Sequence, residues 1–231
     1  MLWKIPRIWE DGRCFIIGGG TSILQQFEIP DEMSRKVLEK QADSSIYAPC
    51  FSAIHNEHII GVNMAMKLGS FVDVVYFADS SFWKRFKSDI IQFQGIRCTT
   101  SKRAETECDH SRKIKYLQFD RKKKRGITTK ESCISWNFNS GGGAINLAVH
   151  FGVRQIILLG FDMNLDQNKN QHWHKQYGHK DLKKLQGTFA MHMRSFPVIA
   201  EDARKLGIEI LNANPNSAIN DFKKVNIKDI L

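Results

Sequence analysis

Short apolar runs alternate with stretches of helical periodicity along most of the chain. Runs at residues 14–17, 72–79, 156–159 and 208–212 predict strands. The run at 156–159 has no polar alternation, which is typical of a strand buried on both faces of a parallel sheet. Strands that alternate with helices predict an α/β fold, with a mostly parallel sheet and helices on both faces. We interpret residues 1–231 as one domain.

The remaining pattern predicts further elements with less regular signals. Ser140 is predicted to cap a helix that opens with three glycines and ends at Gly152. Residues 182–206 predict a helical stretch that breaks at Pro197. Alternation over residues 114–119 predicts an antiparallel strand, and a short helix is expected to end at Phe222.

Small or polar residues follow the predicted strands and open the glycine-rich helix. Right-handed crossovers would collect these turns at one edge of the sheet, where open α/β sheets bind their ligands. Glycines let a ligand approach the backbone at a positive helix end, which suits a phosphate. The candidate nucleotide-binding residues are Gly18, Gly19, Gly20, Thr21, Ser22, Asn63, Ser140, Gly141, Gly142, Gly143, Gly160, Asp162, Asn214, Asn216 and Ser217.

Composition narrows the class of protein. Hydrophobic residues make up 42% of the chain, which is enough to bury a full core, and no apolar run is long enough to span a membrane. The amino terminus lacks the pattern of a signal peptide, so we expect a cytoplasmic protein. The five cysteines are odd in number and have no C-x-x-C spacing, so we expect reduced thiols.

Two segments stand apart from the regular pattern. Residues 101–135 predict a basic insertion or mobile loop, with five consecutive cations at 121–125. The formal net charge of +10 favours either a solvated basic surface or an anionic partner such as a nucleotide, DNA or acidic glycan. Residues 164–181 predict a lid-like loop that contains three histidines. One of these histidines suits a general base, whereas a zinc site would need further ligands.

Several of these motifs, in this order, resemble one superfamily. It contains the bacterial sialyltransferases that use a CMP-sugar and the 6-hydroxymethylpterin diphosphokinase-like proteins, and phage-encoded relatives are similar. The resemblance covers most of the chain outside residues 85–135. The motifs are Ile-Gly-Gly-Gly-Thr-Ser at 17–22, Val-Asn at 62–63, residues 140–162, Tyr-Gly-His at 177–179 and Asn-Pro-Asn-Ser at 214–217.

The resemblance implies a Rossmann-like transferase with one donor-nucleotide site. No Asp-x-Asp motif stands beside a predicted strand end, so the sequence does not indicate a metal-dependent sugar transfer. The first glycine loop and Asn63 would contact the nucleotide, and the Ser-Gly-Gly-Gly helix start would line the same pocket. His179 would act as the general base on an acceptor hydroxyl, with His174 as the fallback. The implied function is a glycosyltransferase-like reaction with a nucleotide-sugar donor, in the cytoplasm of a bacterium or a phage-infected host.

The sequence also departs from that superfamily. Sialyltransferases place a tyrosine soon after the aspartate that matches Asp162, whereas Met163 and Asn164 stand here. The tyrosine that would hydrogen-bond the leaving phosphate is therefore not at the matching position. Two alternatives to the glycosyltransferase-like reaction also stay open. One is a diphosphokinase that uses ATP and magnesium, with Asp79 and Asp162 as the available carboxylates. The other is a non-catalytic nucleic-acid-binding module, whose DNA binding would weaken with salt and survive His179→Ala.

Overall fold

The computed structural model describes residues 2–108, 114–177 and 181–231, which form a layered α/β structure. The strands are β1 (Arg13–Ile17), β2 (His58–Val62), β3 (Val74–Phe77), β4 (Ile96–Thr99), β5 (Lys115–Tyr116), β6 (Gln118–Phe119), β7 (Cys133–Ile134), β8 (Gln155–Leu159), β9 (Glu209–Asn212) and β10 (Lys223–Lys224). The α-helices are α1 (Ser22–Gln26), α2 (Asp31–Leu38), α3 (Ser80–Gln92), α4 (Lys102–Glu107), α5 (Ser140–Phe151), α6 (Leu182–Met193) and α7 (Phe196–Lys205).

The main sheet has eight strands in the order β10-β9-β8-β1-β2-β3-β4-β5. Neighbouring strands of this sheet pair in parallel, so the expected Rossmann-like α/β class is confirmed. The chain runs outward from β1 through β2 to β5, and later runs outward on the other side from β8 to β10. The direction of winding therefore reverses between β1 and β8.

Helices cover both faces of the sheet and divide the core in two. On one face, Cys14 and Ile16 of β1 pack in a cluster that includes residues of α5 and α7. On the other face, Phe15 and Ile17 pack with residues of α1, α2 and α3. Alternate residues of each central strand are thus buried on opposite faces. This explains why these strands lack polar alternation in the sequence.

The predicted antiparallel strand over residues 114–119 is wrong. Both short strands in this region pair in parallel, β5 with β4 and β6 with β7. The chain changes sheets at the buried Leu117, whose amide donates to Thr99 O, whereas the next amide, of Gln118, donates to Ser132 O. Alternation of side chains reports which face is buried but carries no information about strand direction.

Two further expectations are corrected and one is confirmed. No helix lies between Ser217 and Phe222 in this fully described stretch. Asn139, not Ser140, caps α5, because its side chain accepts from the Gly142 amide. The predicted break at Pro197 is confirmed, since α6 ends just before α7 and the proline lies in the first turn of α7.

Two simpler expectations concern helix length and the cysteines. Among residues 2–108, 114–177 and 181–231, no helix is long and apolar enough to cross a membrane. Cys14, Cys98 and Cys133 are buried thiols that form no disulfide.

Candidate active site

A cleft opens at the carboxyl edge of the sheet, where the winding direction reverses. In open α/β sheets this is the crevice in which ligands bind. The cleft consists of two adjoining cavities of about 140 Å³ and about 520 Å³. The smaller lies over the ends of β1 and β8, and the larger extends past the ends of β2 and β3. The residues that line both are Asn63, Asn139, Ser140, Gln171, His172 and His192.

Asp162 joins three loops beneath the smaller cavity. Its Oδ2 accepts from the Ser22 amide at 3.0 Å, and its Oδ1 accepts from Ser22 Oγ at 2.5 Å. The same Oδ1 accepts from Asn214 Nδ2 at 2.8 Å. Asp162 is only 5% exposed. Its carboxylate therefore holds the turns after β1, β8 and β9 in a fixed relation.

The glycines after β1 are required by the protein's own packing. A Cβ on Gly20 would meet the Asp162 carboxylate at 2.4 Å, and one on Gly19 would meet His172 Nδ1 at 2.6 Å. The amides of Gly18 and Gly20 donate to Leu159 O and Gly160 O. These two amides thus already donate hydrogen bonds within the protein. All three glycines nevertheless line the smaller cavity.

The triple glycine brings the start of α5 against the sheet. A Cβ on Gly143 would meet the Tyr76 ring at 2.6 Å, and one on Gly141 would meet the Phe161 ring at 2.7 Å. Asn139 Oδ1 accepts from the amide of Gly142. Ser140 and Gly141 remain at the wall of the smaller cavity. The positive end of a 12-residue helix therefore faces the cleft.

Asn63 has the clearest signs of a functional residue. It follows β2 with a φ of 54°, in the left-handed region that non-glycine residues seldom adopt. Its buried Oδ1 has no hydrogen-bond partner among the described residues. It also lines both cavities. An unused buried acceptor in the wall of both cavities indicates a ligand contact.

The turn after β9 lies outside this cleft. Asn214 and Asn216 line a separate cavity of about 450 Å³, together with Ser22. Ser217 is 3% exposed, and its hydroxyl donates to Phe161 O at 2.7 Å. The predicted turns at residues 18–22, 63 and 160–164 therefore meet at the cleft. The predicted turn at 214–217 supports Asp162 from behind. Thr21 lies at the N-cap position of α1.

The two predicted histidines have different positions. His179 lies outside the described residues. His174 is 5% exposed, and its Nδ1 accepts from the Gln176 amide at 3.2 Å. Burial, and to a smaller extent the neighbouring His172, lowers the pKa of the His174 imidazole to about 2. So weak a base, away from both cavity walls, does not suit proton abstraction.

His172 and His192 line both cavities. Sequence reasoning included His172 among the three histidines of the loop without singling it out, and it missed His192. His172 Nδ1 lies 3.2 Å from Gly19 O. A carbonyl only accepts, so Nδ1 carries the proton and Nε2 of the neutral ring is the nitrogen that can take another. The His-x-His spacing at 172–174 was the available signal, but it did not show which ring faces the cleft.

The buried His174 predicts a pH-dependent stability. Its pKa is lower in the folded chain than the usual value of about 6.5, so below that pH the unfolded chain binds the extra proton. Stability from this residue is complete above about pH 6.5 and declines as the pH falls. Between about pH 7 and pH 5, unfolding free energy should fall by about 2 kcal/mol more in the wild type than in His174→Gln. Urea titrations at both pH values measure this, and parallel pH curves would contradict it.

A magnesium site on Asp79 and Asp162 gains no support from the geometry. Both Asp162 oxygens already accept hydrogen bonds from the protein. Asp79 lines the larger cavity, whereas Asp162 lines the smaller one. Within the described part of the chain, no group of three or more His, Cys, Asp or Glu side chains is arranged to hold a metal ion.

Two solved structures share this fold. The MAf glycosyltransferase from Magnetospirillum magneticum AMB-1 superposes with a TM-score of 0.60 at 9% identity, over 98% of this chain and 35% of its own length. The sialyltransferase CstII from Campylobacter jejuni, in complex with a substrate analogue, cytidine-5'-monophosphate, superposes with a TM-score of 0.50 at 14% identity. That match covers 94% of this chain and 85% of CstII.

These likenesses establish the fold alone. They agree with the expected sialyltransferase-like architecture, and neither is a 6-hydroxymethylpterin diphosphokinase. The chain spans about a third of the MAf protein that it matches. No protein-family model and no curated protein matches the sequence.

Proposed function

We propose that the protein is a nucleotide-dependent transferase of the glycosyltransferase type, which moves a sugar from a nucleotide-sugar to an acceptor hydroxyl. One observation carries this proposal. Two cavities meet at a shared wall that contains Asn63, Ser140 and His172. A transfer reaction needs two ligands whose reacting atoms meet, and this wall is where a donor and an acceptor would do so.

The donor nucleotide would lie along the smaller cavity and across the shared wall. The amino end of α5, at Ser140 and Gly141, would receive its phosphate, because the helix dipole favours a negative charge there. The side chain of Asn63 would contact the ribose or base through its unused Oδ1. The fold shared with a sialyltransferase bound to cytidine-5'-monophosphate supports a cytidine nucleotide as the first to test.

The acceptor would enter from the larger cavity. There His172 Nε2 would take the proton from its hydroxyl, and the hydroxyl oxygen would attack the anomeric carbon of the donor sugar. As the new bond forms, the bond from that carbon to the phosphate oxygen breaks, and the nucleotide leaves with the electron pair. His179, which the resemblance assigns as base, is the rival for this role.

Calorimetry with CMP, UDP and ATP, each with and without magnesium, tests the proposal. We expect a pyrimidine nucleotide to bind without magnesium and to bind more weakly to Asn63→Gly. This variant suits the test because glycine tolerates the positive φ, so only the side chain is lost. Binding of ATP alone, dependent on magnesium, would indicate the diphosphokinase alternative. Absence of binding by all three nucleotides would contradict the proposal.

A further inference from the structure

A partly exposed aromatic surface borders the larger cavity. Phe119, Trp136 and Phe138 form this aromatic rim. The ring centroids of Trp136 and Phe138 lie 4.6 Å apart, and those of Trp136 and Phe119 lie 5.9 Å apart. Trp136 is 46% exposed, whereas Trp83 and Trp173 are fully buried. Trp136 and Phe138 both line the cavity.

The backbone that presents this rim is strained and firmly held. Asn137 and Phe138 both have φ in the left-handed region, at 53° and 56°. Asparagine tolerates that region, but phenylalanine rarely adopts it. The buried Asn137 holds the turn, because its side chain accepts from the Gly126 amide and donates to Gly126 O. Ser195 Oγ also donates to Asn137 O. Strain retained by several hydrogen bonds indicates that the position of these rings has a use.

Positive charge lies directly beside the rim. The Asn137 amide donates to Lys124 O, which joins the rim to the basic run 121–125. Arg125 lies over the Phe138 ring, with 4.8 Å between its Cζ and the ring centroid. Lys123 pairs with Asp202. The side chains of Arg121, Lys122 and Lys124 are exposed. None of these three side chains forms an ion pair with a carboxylate of the described residues.

We propose that the aromatic rim and the basic run together bind single-stranded nucleic acid. Each nucleotide of a single strand presents a flat base on one side and a phosphate on the other, which matches a row of rings beside a row of cations. A duplex keeps its bases stacked inside and offers only its phosphates. The proposal concerns binding and does not depend on the sugar transfer, so either can fail without the other.

Fluorescence anisotropy with a labelled oligothymidylate of about 12 nucleotides tests this directly. We expect Trp136→Ala to weaken binding about tenfold, because a stacked base is lost. The triple variant Arg121→Gln, Lys122→Gln, Lys124→Gln should reduce the slope of log affinity against log salt by about 2. Both changes are at exposed side chains, and unchanged thermal unfolding would show that the fold is intact.

A matched control removes the same charge elsewhere. The control is the triple variant Arg35→Gln, Lys36→Gln, Lys40→Gln, which changes exposed cations in and just after α2. Helix α2 packs on the opposite face of the sheet from β7. This variant should leave both the salt slope and the affinity almost unchanged. Equal binding of a duplex of the same length would overturn the proposal. So would binding of dextran sulfate that is as tight as oligothymidylate binding, with neither affected by Trp136→Ala.

Discussion

Asp162→Ala is expected to destabilise the protein by about 3 kcal/mol and to abolish nucleotide binding. The buried carboxylate accepts from the Ser22 amide, Ser22 Oγ and Asn214 Nδ2. Alanine would leave these donors without an acceptor at a site where water has little access. The turn after β1 would then be held to the end of β8 only by the backbone hydrogen bonds of Gly18 and Gly20, and the wall of the smaller cavity would loosen. Urea denaturation and nucleotide titration measure the two effects.

Two companion variants make this expectation specific. Ser22→Ala removes one of the same hydrogen bonds and should cost about 1 kcal/mol, which keeps the test informative if Asp162→Ala does not fold. Glu201→Ala removes a carboxylate on α7 whose side chain is 55% exposed and whose partner is Lys205, so the free energy of unfolding should stay close to that of the wild type. Equal effects of Glu201→Ala and Asp162→Ala would refute the assigned role of Asp162.

The central part of the fold could be predicted because the residues of a buried strand are themselves apolar, so the strand is recognisable from a short stretch of sequence. The strand at residues 156–159 is apolar throughout since helices cover both faces of the sheet at this strand. Pairing partners are a long-range property. The strands at 115–119 have two residues each, and their direction depends on backbone groups at Thr99 and Ser132. No pattern within the strands themselves encodes those partners.

The location of the candidate site could be predicted from the sequence, but the side chains that face the cleft could not. The order of the elements placed the turns after β1, β2 and β8 at one edge. The sequence also showed that small residues are required there. It did not show why. A side chain at position 20 would clash with Asp162 and one at position 143 with Tyr76, and these partners are distant along the chain. In an irregular loop no periodicity rule decides whether His172 or His174 faces the cleft.

His172→Asn is expected to reduce kcat by about 100- to 10,000-fold, the usual contribution of a general base, with nucleotide affinity almost unchanged. Asparagine places an N–H near the position of Nδ1, so the hydrogen bond to Gly19 O can persist while Nε2 is lost. The Trp173 amide also donates to Gly19 O and would hold the loop. Rates with the donor identified by calorimetry, at saturating concentration, measure the loss.

Parallel variants decide which histidine is the base. His55→Asn serves as the control, because that ring contacts Ala48 O and borders neither cavity, so kcat should remain close to wild type. His192→Asn should affect the binding of the acceptor more than kcat, since His192 has a place in the shared wall, whereas the base is assigned to His172. A loss of kcat confined to His179→Asn would assign the base to the Tyr-Gly-His motif. In that case the role of His172 is to support the Gly19 loop through its hydrogen bond to Gly19 O.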